Sequence, residues 1–545
     1  MHQPSLAIGL LAFGSLVSSS LAQGLPPVPV PAGNPITPSK VLLGKALFFE
    51  EQVSASHTVA CATCHDFARG GGSDARATQP GSVHPGPDAQ FGTRDDIIGS
   101  RGVPGLLANG EFRPTAFGLA DQVTGRRAMP AINAAYAVSL FWDGRASSTF
   151  RDPLTQAVVL NGNAALESQA VGPPNNDVEM GHFGQSWADV VGRVAQARPL
   201  ALATNVPAAL AQFVQNRSYP DLFQEVFGTR DITPARIAMA IATYERTLVS
   251  DQSAWDDFQR GVPGALTPQQ DRGRQLFFNN VTECSDCHGG PLLAVNQFFY
   301  TGVTPQNEDL GRFAVTNNNN DRGRMRAPTL RNVALRAPYF HNGGARTLRD
   351  VVDFYARGGD FTAGNRDPRI RGFNMNNADR DALVAFLGAF TDPRVVAGVA
   401  PFDRPTLFTE TRRGVAPYGH ATAGSNNTVP SLVAVEPPHI GHGTFGLGLE
   451  RAYGGAPAVL LLDSAPHTSG LRVLGADVFV ALTPSMIFAP VMSAGSGAGQ
   501  GTASQVLPIA NVVGLRGLHI YGQWISLDPP TARLAATAAV DLTIF

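Results

Sequence analysis

Two copies of the pattern Cys-x-x-Cys-His use all four cysteines of this chain. Only 12 of the 545 residues are His, so a His directly after a given cysteine pair arises by chance roughly 2% of the time. The pattern is the attachment signature of c-type haem, because two thiols one helical turn apart reach the two vinyl groups and the adjacent imidazole reaches the iron. The sequence therefore predicts two covalently attached haems, on the residues Cys61, Cys64, His65, Cys284, Cys287 and His288.

Two other uses of the cysteines remain open from spacing alone. Two disulfides are the ordinary expectation for four cysteines in an exported protein. Clusters of Cys and His also bind zinc. The same five-residue pattern occurs twice, with its copies 223 residues apart, and haem attachment explains the His in both.

The chain before each motif is an internal repeat. Thr37-Pro38 precedes the residues Gly-Lys-Ala-Leu-Phe-Phe at 44–49, and Thr267-Pro268 precedes Gly-Arg-Gln-Leu-Phe-Phe at 273–278. A Thr N-cap followed by Pro at the first helical position is a typical helix start. Each copy therefore predicts a helix that leads into a haem-attachment turn.

Further helices are predicted around this repeat. Apolar residues recur at helical spacing over residues 234–248, and two more helices are expected at 347–355 and 377–390. We therefore predict a multidomain protein that begins with two mainly α cytochrome c-like domains in tandem. Their expected bounds are residues 23–230 and 231–395.

Composition and length limit the remaining possibilities. A chain of 545 residues with 43% hydrophobic residues is long enough for several domains, and a net charge of -2 excludes a nucleic-acid partner bound through general electrostatics. The apolar run at 6–17 is too short to span a membrane and is followed by small residues. We predict a signal peptide at 1–22, a periplasmic or secreted location, and no membrane span.

The chain changes character after about residue 393. A linker rich in Gly, Pro and Ser is expected at 396–428, followed by short apolar runs at 458–462, 518–527 and 540–545. We predict an all-β, sandwich-like domain of unknown role at 429–545. His439 and His442 are expected to be loop residues there and not metal ligands.

Residues 42–391 resemble the bacterial di-haem cytochrome c peroxidase family, which includes the MauG branch. Matching blocks occur in the family's order over about two-thirds of the chain. These blocks lie at residues 43–49, 141–146, 169–173, 178–180, 309–313, 328–332 and 337–341.

The resemblance implies that the N-terminal haem reacts with hydrogen peroxide. The family keeps a Gln and a Glu ten residues apart on the distal side of this haem, as are Gln169 and Glu179, with Pro173 bordering the haem between them. Glu179 is expected to take and return the proton during O–O cleavage, and Gln169 to orient the peroxide. Trp142 matches the family's Trp between the two haems and is expected to pass oxidising equivalents.

The sixth ligand of the C-terminal haem differs from the peroxidase branch. That branch has a Met fourteen residues after the His that matches His341, and this chain has Tyr355 there, as MauG-like members do. A phenolate is a hard ligand that favours oxidised iron, so the resemblance implies iron ligation by His288 and Tyr355. If Tyr355 is instead a core aromatic, Met325 and Met375 are the alternative ligands.

Two further family features are altered. The family binds Ca²⁺ between its domains, but Arg127 and Arg336 stand where it has an Asn and a Thr, so we expect this calcium to be absent. His84 lies near the position at which the peroxidase branch keeps a His that caps the N-terminal haem. Its spacing from His65 does not match, and the sequence leaves its role open.

The predicted function is an exported di-haem c-type peroxidase, an oxidoreductase that reduces hydrogen peroxide. Its electron donor is expected to be a small cytochrome or another protein. The alternatives are a MauG-like oxidase of a protein side chain, a non-enzymatic di-haem electron carrier, and an oxygenase that cleaves a hydrophobic polymer.

Overall fold

The computed structural model describes residues 24–73 and 81–545. The predicted signal peptide therefore lies outside the described residues. Within these two ranges, no helix combines the length and the apolar composition needed to cross a membrane.

The first domain surrounds the Cys61 motif and combines helices with short two-stranded sheets. Its helices are α1 (Pro38–Phe48), α2 (Cys61–Cys64), α3 (Ala165–Ala170), α4 (Trp187–Gln196), α5 (Ala208–Val214), α6 (Tyr219–Phe227) and α7 (Pro234–Glu245). Its strands are β1 (Val83–His84), β2 (Ile97–Ile98), β3 (Arg101–Pro104), β4 (Asp121–Val123), β5 (Ser139–Leu140), β6 (Ala146–Ser147), β7 (Thr149–Arg151) and β8 (Val158–Asn161). These strands pair consecutively as antiparallel hairpins.

The second domain surrounds the Cys284 motif and is mainly helical. Its elements are α8 (Ala254–Gln259), α9 (Pro268–Phe277), α10 (Cys284–Cys287), β9 (Phe298–Phe299), α11 (Phe313–Thr316), β10 (Met325–Arg326), α12 (Leu348–Ala356) and α13 (Asn377–Gly388). Aromatic rings of α8, α9 and α13 pack at its centre, with Trp255 and Phe386 5.4 Å apart between ring centroids.

The internal repeat folds as the sequence predicts. Thr37 is the N-cap of α1 and accepts a hydrogen bond from the Lys40 backbone N, and Thr267 does the same for the backbone N of Gln270 at the start of α9. In both helices Pro occupies the first turn, where its missing N–H leaves no helical hydrogen bond unmade.

The glycine of each repeat permits a close helix crossing. A Cβ on Gly44 would lie 1.9 Å from the carbonyl oxygen of Ala240 on α7, and a Cβ on Gly273 would lie 2.0 Å from that of Ala382 on α13. The α1–α7 pair and the α9–α13 pair are therefore the same packing unit, used once in each domain.

Replacing Gly44 with Ala is expected to lower the free energy of unfolding by at least about 1–3 kcal/mol, because the new methyl group overlaps the α7 backbone. Urea unfolding followed by circular dichroism measures this change. The matched control is Gly192→Ala in α4, where a Cβ meets nothing within 4 Å and stability should stay equal or rise slightly. Equal effects of the two substitutions would contradict the crossing argument.

Helix α7 belongs to the first domain, although the predicted boundary at residue 230 placed it in the second. Its buried face contributes Ile237, Ile241 and Tyr244 to the same hydrophobic core as Leu43 and Phe48 of α1. Amphipathic spacing identifies a helix but not the core that its apolar face joins. The boundary prediction was therefore too early by at least the length of α7.

The C-terminal region is rich in strands, as predicted. After α14 (Pro393–Ala397) and α15 (Phe408–Thr411) come β11 (Val415–Tyr418), β12 (Ser431–Val433), β13 (Gly446–Gly454), β14 (Pro457–Asp463), β15 (Pro466–Val473), β16 (Ala476–Val480), β17 (Ile487–Met492), β18 (Gly497–Val506), β19 (His519–Asp528), β20 (Arg533–Ala536) and β21 (Ala539–Thr543). One sheet has the order β11-β21-β19-β14-β17, with β20 also paired to β19. A second sheet has the order β12-β13-β18, and β15 pairs with β16.

The two larger sheets share one hydrophobic core. Leu447 and Leu449 of β13 pack in the same cluster as Leu460 of β14 and Trp524 of β19. All pairs are antiparallel, and Leu460 stands opposite Trp524 in the register. Consecutive residues in the middle of β14 and β19 are buried, so this part of the sheet is covered on both faces.

The predicted linker at 396–428 is largely structured. Strand β11 lies within it and pairs with β21, so the main sheet begins before the predicted start at residue 429. Phe402 and Phe408 are fully buried, and the Glu51 carboxylate accepts hydrogen bonds from the backbone N of Phe408 and Thr409. Gly and Pro content indicated a linker, but these tertiary contacts hold the segment against the first domain.

The strand-rich region also contacts the first domain directly. A buried cluster contains Val433 of the strand-rich region and three residues from the segment between β3 and β4, which are Leu106, Phe112 and Leu119. The backbone N of Phe112 donates to Ser504 Oγ at 3.0 Å, and the backbone N of Leu119 donates to Glu450. The segment between β3 and β4 therefore forms part of the surface on which the strand-rich region packs.

Candidate functional site

The first cavity lies in the first domain and has a volume of about 360 Å³. Its wall carries the first Cys-x-x-Cys-His motif and, with it, the three residues that the family resemblance placed beside the haem. Those three residues are Gln169, Pro173 and Glu179. The structure therefore brings together residues that are more than 100 positions apart in the sequence.

The first motif has the local geometry of an attachment turn. Cys61 and Cys64 are the ends of α2, and His65 follows with its Nδ1 3.2 Å from the carbonyl oxygen of Gly71. A carbonyl at Nδ1 orients the ring and leaves Nε2 as the ligand atom. Burial raises the pKa of the Cys61 thiol to about 12, so the pocket favours an uncharged sulfur such as a thioether.

Glu179 is held at the cavity by its own backbone. Its backbone N donates to Asn176 Oδ1 at 2.9 Å. The neighbouring residue Val178 packs closely on Gly102, because a Cβ on Gly102 would lie 1.8 Å from the Val178 carbonyl oxygen. Burial raises the pKa of the Glu179 carboxyl, and the positive charge of Arg145 opposes this shift. A carboxyl with a raised pKa exchanges protons closer to neutral pH.

Arg145 is a cavity residue to which the sequence assigned no role. Its guanidinium stacks on Phe141, 3.6 Å from the ring centroid, and Nη1 donates to Asp143 Oδ2 at 2.9 Å. It therefore presents a fixed positive charge towards Glu179. The block containing Phe141 and Arg145 was visible in the sequence, but its distance from Glu179 was not.

The second cavity lies in the second domain and has a volume of about 230 Å³. Cys284, Cys287 and His288 share its wall with Tyr355. Burial raises the pKa of the Tyr355 phenol, and the nearby thiols of Cys287 and Cys284 add to this shift. The phenol therefore lies on the cavity side of α12 and close to the attachment cysteines.

The alternative ligands of the second cavity are placed differently. Met325 on β10 lines the cavity. Met375 packs against the hydrophobic core of the second domain and is not among the lining residues. His288 Nδ1 lies 3.3 Å from the carbonyl oxygen of Leu293, which repeats the arrangement of His65.

Arginines in its lining make the second cavity suitable for an anionic cofactor. Arg326 is half-buried, its buried Nε has no hydrogen-bond partner, and desolvation lowers its pKa to about 10. Arg127, Arg336 and Arg369 also line this cavity. An unpaired buried donor needs an acceptor, and the carboxylates of a haem would supply one. The residues of both cavities therefore fit c-type haem.

Trp142 connects the two cavities, because its side chain lines both. Its Nε1 donates to the carbonyl oxygen of Arg127 at 2.8 Å, and its own carbonyl oxygen accepts from the Arg326 backbone N at 2.8 Å. The indole ring also lies 6.1 Å from the His341 ring, measured between centroids. Contacts from both domains thus hold Trp142 at their interface.

A charged network beside Trp142 links the two domains. Arg126 donates to both carboxylate oxygens of Asp309, at 2.7 and 2.6 Å, and to Asp143 Oδ2 at 2.8 Å. Arg312 donates to the carbonyl oxygens of Asp143 and Gly144. These bonds cross the domain interface, so they restrict the relative position of the two cavities.

The residues expected to replace calcium both lie at this interface, Arg127 buried and Arg336 half-buried. Arg127 donates from its backbone N to the His341 carbonyl oxygen at 2.8 Å. Burial, with a smaller contribution from the charge of Arg127, lowers the pKa of Arg336 to about 10, so the two guanidiniums are close. The absence of calcium remains a prediction.

His84 lies outside the first cavity. It is part of the β1–β2 hairpin, its ring is 6.0 Å from that of Phe117, and its Nδ1 accepts from the Gly86 backbone N at 3.1 Å. It is not among the residues that line the Cys61 cavity. The structure therefore does not bring His84 to the position of a capping ligand.

The alternative uses of cysteine have less support. All four cysteines are free, so none is in a disulfide. Among the described residues, the one group of three or more possible ligands within 4.8 Å consists of His57, His439 and His442, and it contains no cysteine. This group was not foreseen from the sequence.

Known proteins match the chain in two consecutive segments. Residues 38–263 match the di-haem cytochrome c peroxidase family, and residues 270–390 match the cytochrome c family. The methylamine utilization protein MauG of Methylorubrum extorquens is 30% identical over 66% of this chain and 80% of its own length.

Two peroxidases are similarly related. Cytochrome c551 peroxidase of Pseudomonas aeruginosa is 30% identical over 59% of this chain and 72% of its own length. Cytochrome c peroxidase Ccp of Escherichia coli is 31% identical over 66% of this chain, which covers only 60% of that protein. The matched parts contain both cavities, whereas the strand-rich region lies beyond the family segments.

Proposed function

Because the chain belongs to the di-haem cytochrome c peroxidase and MauG family of oxidoreductases, we propose that it reduces hydrogen peroxide in the first cavity. Its two haems are attached covalently, one through Cys61 and Cys64 and the other through Cys284 and Cys287. The observation that carries the proposal is that Glu179 and Gln169 share a cavity wall with Cys61, Cys64 and His65.

In the first cavity, Glu179 moves the proton that O–O cleavage requires. When bound, the haem supplies the iron at which peroxide accepts two electrons. The Glu179 carboxylate takes the proton from the near oxygen of the peroxide and returns it to the leaving oxygen. Gln169 orients the peroxide through its side-chain amide. With two further protons from solvent and two electrons from the donor, each turnover converts one peroxide into two waters.

The electrons reach the first cavity through the second domain. Trp142 lines both cavities and is the connecting side chain. His288 and Tyr355 would hold the iron of the second haem, which their shared cavity wall supports. The predicted signal peptide supports an exported location. The family resemblance supports a small cytochrome or another protein as the electron donor.

A second candidate is oxidation of a protein side chain, and Tyr355 is the observation that favours it. A phenolate stabilises oxidised iron more than a thioether does. This ligand suits a second haem that stores oxidising equivalents for a protein substrate.

Adding one equivalent of hydrogen peroxide to the diferric holoprotein tests both proposals. We expect rapid reaction and simultaneous loss of the ferric electron paramagnetic resonance signals of both haems. Reaction only after one haem is reduced would reject the second candidate and leave a cytochrome-dependent peroxidase. No reaction in either state would reject both and indicate an electron carrier.

A further inference from the structure

A group of three histidines joins the first domain to the strand-rich region, and none of the three lines either haem cavity. His57 lies in the loop that precedes α2, and His439 and His442 lie in the loop between β12 and β13. One ring nitrogen from each residue lies within 4.8 Å of the other two. We propose that these histidines bind one imidazole-preferring transition-metal ion, either copper or zinc.

The spacing of the rings suits a shared ion. His57 Nδ1 lies 2.9 Å from His439 Nε2, and the His57 and His442 rings are 4.1 Å apart between centroids. Nitrogens bound at about 2.0–2.1 Å to a tetrahedral ion lie roughly 3.3 Å from one another. The nitrogens are therefore within the range for a shared ion, and the rings, which are stacked, would rotate to direct one nitrogen each at a common point.

Backbone carbonyls set two of the rings in a ligand orientation. His439 Nδ1 lies 2.9 Å from the Ile440 carbonyl oxygen, and His442 Nδ1 lies 3.0 Å from that of Pro437. Since a carbonyl only accepts, each Nδ1 carries the proton and each Nε2 presents a lone pair. Metal-binding histidines use this arrangement, in which the second nitrogen donates to a carbonyl.

His442 provides an independent indication of a ligand. Its side chain is fully buried, and its Nε2 has no hydrogen-bond partner. A buried lone pair without a donor costs free energy unless something binds it. A metal ion at the centre of the group would satisfy this nitrogen and replace the contact between His57 and His439.

The chemistry of the donors selects the metal. The group offers three neutral imidazoles, with no thiolate or carboxylate in it. Imidazole nitrogen suits copper and zinc, whereas calcium and magnesium require oxygen ligands. Three histidines also leave a fourth coordination position open.

Two of the three histidines border a large cavity between the first domain and the strand-rich region, from which a fourth ligand could enter. The cavity has a volume of about 960 Å³, and His57 and His439 are part of its wall. Its charged lining is mainly cationic, comprising Arg193, Arg198, Arg413, Arg516 and Asp189. We therefore expect an anion, such as hydroxide, as the fourth ligand, because it would offset the charge of the ion beside these guanidiniums.

The site is also near the first haem motif. His57 precedes Cys61 by four residues, so their Cα atoms are at most about 14 Å apart even if the chain is extended. A copper ion at this place would be close enough to the haem-bearing cavity to exchange electrons with it. Zinc would instead act without redox change.

Metal analysis of the chelator-treated holoprotein tests the site, because haem attachment removes the four thiols as competing ligands. After separate loading with Cu²⁺ or Zn²⁺ and gel filtration, we expect about one non-haem ion per chain. Binding should raise the melting temperature, since the ion links two parts of the native fold. The copper form should also show nitrogen hyperfine structure in its electron paramagnetic resonance spectrum.

The variants His57→Gln and His442→Gln should each bind the ion at least about tenfold more weakly. His420→Gln is the matched control, because His420 is an exposed histidine of the same region. The proposal would be overturned if the wild-type protein retained neither copper nor zinc. It would also be overturned if His57→Gln, His442→Gln and His420→Gln all retained the same amount of metal. All three readouts are independent of peroxide turnover, so they also separate this proposal from the peroxidase function.

Discussion

Replacing Glu179 with Gln is expected to slow peroxide turnover about 100- to 10,000-fold, while both haems stay attached. The amide keeps the size of the side chain but cannot take up the peroxide proton. Steady-state peroxide consumption with a reduced donor measures the rate, and the optical spectrum measures haem content. Asp177→Asn is the matched control, because Asp177 is an exposed carboxylate two residues away that does not line the cavity.

The pH dependence of the same reaction follows from the surroundings of Glu179. Burial raises its pKa above the ordinary value of 4.5, and Arg145 partly offsets this. Because the carboxylate form accepts the proton, the rate should fall as the pH drops through this raised pKa. Arg145→Gln removes the opposing charge and should move the acid limb to higher pH. An acid limb that persists unchanged in Glu179→Gln would assign the titration to another group.

Replacing Tyr355 with Met is expected to raise the reduction potential of the second haem by at least about 0.1 V, within the roughly 0.8 V range that axial ligands cover. A thioether stabilises reduced iron, whereas a phenolate stabilises oxidised iron. Spectroelectrochemical titration of the holoprotein measures both potentials. The first haem should keep its potential, because Tyr355 does not line its cavity.

Tyr339→Phe is the matched control for this substitution. Tyr339 lines the same cavity, and burial raises the pKa of its phenol to about 12. Removing its hydroxyl should leave the potential of the second haem almost unchanged. If Tyr355→Met titrates like the wild-type protein, Tyr355 is not an axial ligand, and Met325 becomes the candidate because it lines the cavity.

Local sequence determined the parts of this protein whose chemistry or conformation depends on neighbouring residues. The two attachment turns need only five consecutive residues each, and the helix starts at Thr37 and Thr267 need only a cap and a following Pro. The strand positions near 458–462 and 518–527 were likewise predictable, because apolar runs favour buried strands. The family resemblance then paired Gln169 with Glu179, and the structure places both in one cavity.

Only the tertiary structure decided which distant surfaces meet. The apolar face of α7 could have joined either core, and it packs with α1 because Gly44 permits the close approach. Strand β11 could not be assigned from its composition, since its pairing partner lies at the end of the chain. His57 is 382 residues from His439, a separation over which sequence spacing carries no geometric information. Motifs and caps are local, whereas cores, cavities and metal sites depend on contacts between residues far apart in the chain.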